Sequence, residues 1–134
     1  MKKVATLIVL LILVFPSVSR GDYHEALNKG DYKTALNELK PLAEKGDASA
    51  QYNLGFMYAT GKGVAQNYEK AVKWYRKAAD QGYVMAQKML AGIYLMGQDV
   101  PPDYAEAVKW YHKAADQGDA DAQCSLGVSY DSHS

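Results

Sequence analysis

The sequence predicts an all-α protein, a solenoid of antiparallel helix pairs in about three units of 36 residues. Three observations carry that prediction: a period, an apolar stripe at helical spacing, and glycines where helices must stop. Asp31, Asn67 and Asp103 fall 36 residues apart, and 12 of the 15 positions in Tyr68–Gly82 recur unchanged in Tyr104–Gly118. Self-similarity at such a period marks units that stack to bury one continuous core. An earlier copy keeps the frame through Tyr32, Ala35, Leu36, Leu39, Ala43 and Gly46. The repeat frames are 31–66, 67–102 and 103–134, the last incomplete, within a domain of residues 20–134.

Each unit reads as two helices. Ala71, Val72, Tyr75 and Ala79 recur at three- and four-residue spacing, the stripe of an amphipathic helix. Asn67 and Asp103 are natural N-caps, because a short side-chain oxygen accepts a free amide of the first turn. Asp103 and Glu106 have capping-box spacing. Gly82 and Gly118 end this helix type, since glycine takes the left-handed cap conformation without a Cβ clash. The other helix type carries Ala50, Leu54 and Tyr58, then Ala86, Leu90 and Tyr94, then Ala122, Leu126 and Tyr130. Gly61 and Gly97 close the first two of these, and the short loops that follow make successive helices antiparallel. Gly55, Ala91 and Gly127 share one column beside Leu54, Leu90 and Leu126. Glycine inside a helix costs about 1 kcal/mol relative to alanine. Small residues kept in that column imply close helix approach.

The first nineteen residues read differently. Met1-Lys2-Lys3 is positive, Val4–Phe15 is almost unbroken apolar sequence, and Ser17-Val18-Ser19 supplies small residues at a cleavage position. This is the pattern of a secretory signal, and the run is short for a span of roughly 20 apolar residues. We expect cleavage after Ser19 and export to the periplasm or medium of a bacterium, with an uncleaved anchor as the alternative. Cleavage also removes Lys2 and Lys3, which leaves the mature chain weakly acidic and without a membrane span.

Composition narrows the function. The 15 basic and 15 acidic side chains balance, which argues against a nucleic-acid binder. A single cysteine, Cys124, excludes an intramolecular disulfide framework and a cysteine-cluster zinc site. His24, His112 and His133 have no second ligand at metal spacing, and Asp116 four residues beyond His112 is one carboxylate on a charged face. No nucleophile–base set is readable. Gly61-Lys62-Gly63 lacks the longer glycine-rich, Lys-Ser/Thr pattern of a phosphate cradle. Neither a catalytic residue, a metal nor a cofactor is expected. Trp74 and Trp110 recur one repeat apart and read as core. The 11 tyrosines are mostly copies: eight occupy repeat columns, and Tyr52 is the one outside them that suits binding.

The combined motif Ala48-x-Ala50-Gln51-x-x-Leu54-Gly55-x-x-Tyr58-x-x-Gly61-x-Gly63-Val64, followed by Ala71-Val72-x-Trp74-Tyr75-x-Lys77-Ala78-Ala79-x-Gln81-Gly82, resembles the Sel-one-like repeat. That family is similar to the tetratricopeptide repeat. The resemblance covers about Asp31 to Tyr130 and implies a right-handed superhelix whose first helices line a concave, protein-binding face. Three departures stand out. Asp99 replaces the glycine expected from Gly63, which Asp tolerates. Pro41 stands where Lys77 and Lys113 lie, and should kink or shorten its helix. The last unit stops at Ser134 after its first helix, so its end either frays or pairs with a second copy.

Taking Leu54 as inward, the candidate partner face comprises Tyr52, Phe56, Met85, Lys88, Leu95 and Val128. The expected function is that of an exported, non-enzymatic adaptor that binds a protein or peptide partner through this face. A monomer is expected, with dimerisation through the incomplete C-terminal end as the alternative. The competing functional classes are an envelope hydrolase acting on cell-wall fragments or a β-lactam, and a truncated, non-functional remnant of a longer repeat protein.

Overall fold

A computed structural model describes the backbone of residues 22–97 and 99–131, and the side chains of 23–97 and 99–127. The described residues form seven helices: α1 (Asp22–Lys29), α2 (Tyr32–Glu44), α3 (Ala48–Thr60), α4 (Tyr68–Asp80), α5 (Val84–Met96), α6 (Tyr104–Asp116) and α7 (Ala120–Asp131). The described residues divide into two compact units, one ending at Glu38 and one beginning at Leu39. In the first, α1 ends at Gly30, and the Asp31 side chain accepts the Thr34 amide at 3.2 Å to start α2. In the second, α3 packs on α4, α4 on α5, α5 on α6 and α6 on α7. This is an all-α solenoid of helix pairs.

The helix ends follow from the residues placed there. Asp47, Asn67, Asp103 and Asp119 each accept the amide three residues on, at 2.8 to 3.0 Å. Gly46, Gly82 and Gly118 take positive φ just past a helix end. There the amides of Asp47, Tyr83 and Asp119 reach back to the carbonyls of Leu42, Ala78 and Ala114, satisfying groups a helix end leaves open. Asp99 adopts φ 54°, as its column requires. The amides of Asn67 and Asp103 donate to the carbonyls of Tyr58 and Tyr94 at 2.8 and 3.0 Å, which fixes how each loop returns the chain.

The core around α4–α6 is rich in alanine: Ala71, Ala78, Ala79, Ala86, Ala91 and Ala107 surround Tyr75, Leu90, Ile93 and Trp110. Small side chains let helix axes approach, and burying each Leu, Ile or aromatic ring then contributes about 1.5–3 kcal/mol. Gly55 is the tightest point. A Cβ there would lie 2.8 Å from Cδ1 of Tyr75, whose ring is fully buried.

A glutamine relay joins successive repeats. Gln51 and Gln87 are buried and donate to the carbonyls of Ala43 and Ala79, in the last turns of α2 and α4, at 3.0 and 3.1 Å. Their own side-chain oxygens accept from Gln81 at 2.8 Å and from Gln117 at 3.0 Å. Gln123 repeats the first half of the pattern on Ala115. Each of these carbonyls also accepts the amide of Gly46, Gly82 or Gly118, so the glutamine is a second donor that reaches it from the next helix and favours one register between repeats.

Four expectations need correction. α2 keeps the 13 residues of α3 to α6 despite Pro41, so the helix is not shortened. Pro41 is exposed, where water can hydrogen-bond a carbonyl deprived of its amide partner. The capping box at Asp103 is half made: Asp103 accepts the Glu106 amide, but the Glu106 carboxylate turns to Trp110 and Arg76. The third correction is Gly127, where nothing among the described residues lies within 4 Å of a would-be Cβ, so the close approach seen at Gly55 is not repeated there. The fourth is Trp74, which is half-buried while Trp110 is fully buried; only the second is a core ring.

Candidate protein-binding face

Helices α3, α5 and α7 recur at the repeat period, so positions 36 residues apart occupy equivalent places on them. Leu54 and Leu90 are buried at equivalent points of α3 and α5. On the far side of each helix lie the columns Tyr52, Lys88, Cys124 and Phe56, Gly92, Val128. The structure treats these residues unequally.

Tyr52 is half-buried, with its ring centroid 5.7 Å from that of Tyr75 and 5.3 Å from that of Tyr83. Burial pushes its hydroxyl pKa up, Tyr83 adds to the shift and Lys88 works against it. Phe56 is also half-buried against the core, with the Lys62 ammonium 5.5 Å from its ring centroid. Lys88 is held by two carboxylates, Asp119 at 3.1 Å and Asp121 at 3.2 Å. The Asp119 hydrogen bond is the main cause raising its pKa, against a desolvation effect that lowers it. Tyr52 and Lys88 are therefore near neighbours already engaged within the fold. Cys124 is an exposed free thiol, and the side chain of Val128 lies outside the described residues.

Met85 and Leu95 are different. They are 42% and 46% exposed, far more than large apolar side chains packed in a core. At 100° per residue, Met85, Lys88, Met89, Gly92, Leu95 and Met96 share one face of α5. Met89 is half-buried, Met96 is 61% exposed, and nothing lies within 4 Å of a would-be Cβ at Gly92. The result is a methionine-rich strip with a gap at its middle. Sequence reasoning missed Met89 and Met96, although 85, 89, 92 and 96 have the i, i+4, i+7, i+11 spacing of a helical face. Methionine is unbranched and polarisable, so such a strip adapts to differently shaped apolar partners. On α3 the equivalent face is aromatic and half-sunk, through Tyr52 and Phe56. The start of α7 is acidic, through Asp119 and Asp121. Among the described residues no three His, Cys, Asp or Glu side chains come together as a metal site. The arrangement offers apolar contact and a few fixed charges.

The family model of the Sel1 repeat matches residues 48–83 and 84–119, together more than half of the chain. The protein belongs to the Sel1 repeat family. Each matched unit begins on the α3 or α5 helix type and ends just after the glycine that stops α4 or α6. The sel1-like repeat-containing protein L18 of Acanthamoeba polyphaga mimivirus is 47% identical over 62 residues, 46% of this chain and 10% of that protein. A Sel1 repeat protein from Oxalobacter formigenes superposes with a TM-score of 0.77 and 35% identity, over 82% of this chain and 45% of that one. The protein c5321, a protective antigen present in uropathogenic Escherichia coli strains, gives 0.71 and 42%, over 74% of this chain and 21% of that one. Cysteine rich protein B of Helicobacter pylori shares the fold at a TM-score of 0.64 and 21% identity, over 78% of this chain and 94% of that one. The chain thus spans about a tenth of its viral relative and less than half of the first two structures. Sel1 repeats build helical scaffolds that commonly mediate protein–protein contact.

Proposed function

We propose that this Sel1 repeat protein is an exported scaffold that binds a protein or peptide partner through the face of α3, α5 and α7, acting as a monomer and without catalysis. The observation that carries the reading is the α5 strip, where Met85, Leu95 and Met96 stay exposed together on one helix face. Apolar side chains grouped on one exposed face favour association, because covering them removes apolar surface from water. Tyr52 and Phe56 extend the apolar area on α3, and Lys88, Asp119 and Asp121 supply polar contacts at its edge.

The export part of the proposal is supported by the charged start, apolar run and small residues of Met1–Ser19, which lie outside the described residues. Among the described residues no helix is long and apolar enough to cross a membrane. The test pairs two substitutions that the fold does not need, Met85→Ser and Leu95→Ser. Crosslinking in intact cells, followed by identification of the captured protein, should lose one specific partner in this variant while its melting temperature is kept. Unchanged capture with unchanged folding would reject this face.

A further inference from the structure

α4 carries a second surface, separate from the face just described. Lys70, Lys73, Trp74 and Lys77 stand at i, i+3, i+4 and i+7 and therefore share one stripe of the helix. With Arg76 and Asp80 they line a shallow hollow of about 360 Å³. The equivalent place one repeat later is built differently. There Trp110 is fully buried, its indole N–H donates to Glu106 at 3.1 Å, and Lys109 pairs with the same carboxylate at 3.5 Å. In α4 the position of Glu106 is taken by Lys70, which offers no acceptor, and Trp74 is half-buried. Among the described residues Lys70, Lys73 and Lys77 form no ion pair. The Lys77 ammonium lies 4.7 Å from the Trp74 ring centroid, and the Lys70 ammonium 5.4 Å from that of Tyr58. Arg76 is occupied by Tyr94 at 2.6 Å and Glu106 at 3.4 Å, and Asp80 is the one acid of the lining. The stripe presents three uncompensated cations and an indole donor, and nothing in it except Asp80 balances them.

We propose that this stripe docks an acidic peptide segment of a partner protein, whose carboxylates pair with Lys70, Lys73 and Lys77 and accept the Trp74 indole N–H. Charge complementarity argues for an anionic occupant. The hollow runs along one helix for roughly 15 Å, the rise of ten helical residues, which suits a few peptide residues rather than a long phosphate backbone. The chain is electrically neutral overall, and the next repeat pairs Lys109 with Glu106, which interrupts the run of unpaired cations beyond the hollow. A lipid surface would need a broad exposed apolar face beside the cations. The apolar side of α4 is instead spent on the core through Ala71, Tyr75, Ala78 and Ala79.

The test titrates the full chain with a fluorescently labelled hexaglutamate peptide at about 0.15 M salt, where weak surface attraction is screened. Saturable binding is expected, with a change in tryptophan emission that Trp74→Phe abolishes. Lys73→Glu and the double variant Lys70→Ala/Lys77→Ala should each weaken binding by about tenfold or more, while Lys109→Glu stays within about twofold of the parent. All three lysines are exposed, so melting curves should be unchanged and folding kept apart from binding. Absence of saturable binding, or equal weakening by Lys109→Glu, overturns the proposal. So does tighter binding of hexalysine, of phosphatidylglycerol vesicles or of a single-stranded oligonucleotide.

Discussion

Replacing Gly55 by alanine would place a methyl carbon 2.8 Å from Cδ1, 2.9 Å from Cε1 and 3.1 Å from Cγ of Tyr75. The ring has little room to give. Tyr75 is 1% exposed, and Tyr52 lies against it at 5.7 Å between centroids. Inserting a methyl group into such packing costs about 1–3 kcal/mol. Alanine also returns about 1 kcal/mol of helix propensity relative to glycine. The sum is a net destabilisation of up to about 2 kcal/mol. Gly92→Ala supplies the control. It gains the same propensity, and nothing lies within 4 Å of its new Cβ, so it should stabilise by about 0.5–1 kcal/mol. At this chain size each kcal/mol moves the melting temperature by about 3–5 °C. Thermal unfolding followed by far-UV circular dichroism should therefore show opposite shifts for two glycine-to-alanine changes in equivalent helices. Trimming the ring with Tyr75→Leu should remove most of the penalty of Gly55→Ala, a coupling that a double-mutant cycle reads directly. If Gly55→Ala stabilises as much as Gly92→Ala, the ring does not occupy the space assigned to it.

Three further outcomes follow from the same contacts. Gln87→Ala removes one of two donors to the Ala79 carbonyl and one of two acceptors of the Gln117 amide, so urea unfolding should show a loss of about 0.5–1.5 kcal/mol. The Asp119 carboxyl is held below its ordinary pKa of 3.8, chiefly by the Ala122 amide and then by Lys88. Its contribution is complete above that ordinary value and lost as pH falls through the lower folded one. Melting temperature should therefore drop on acidification through this window, and by less in Asp119→Asn, which keeps an acceptor for the cap but carries no charge. Glu106→Gln still accepts from Trp110 and gives up two partly exposed ion pairs, with Arg76 and Lys109, which together should cost about 1 kcal/mol or less. Glu106→Leu leaves the buried Trp110 indole without its acceptor, while Arg76 keeps only Tyr94, and its unfolding midpoint should fall further.

Much of the fold was legible in the residues because one unit is written more than once. Periodicity located the helices, and Asn67 and Asp103 marked starts that the structure confirms as caps. The same method obscured what differs between copies. Gln51 and Gln81 stood only as letters of the repeat motif, because their partnership spans 30 residues and depends on how α3 meets α4. Gly55 and Gly127 share a column, yet only Gly55 faces a ring. Trp74 and Trp110 are identical letters in near-identical helices. Of the three exchanges between these helices, Lys70 for Glu106 is the one that touches the ring, and Arg76 lies 5.9 Å from the ring centroid of Trp110. Within the candidate face, helical register from Leu54 and the repeat period pointed to Tyr52 and Lys88, both of which the fold already engages. Met85 was named with them, but Met96 was less visible, since an apolar residue in a helical stripe is ordinarily read as core.

The claim that α5 carries the partner-binding strip is tested most directly by photocrosslinking in intact cells. A photoreactive residue is placed in turn at Met85, at Leu95 and, as control, at Asp116, which is exposed on α6. The account predicts one common protein crosslinked from positions 85 and 95 and absent from 116. Crosslinks of equal yield from 116, or none from 85 and 95 while the protein remains folded, would contradict it.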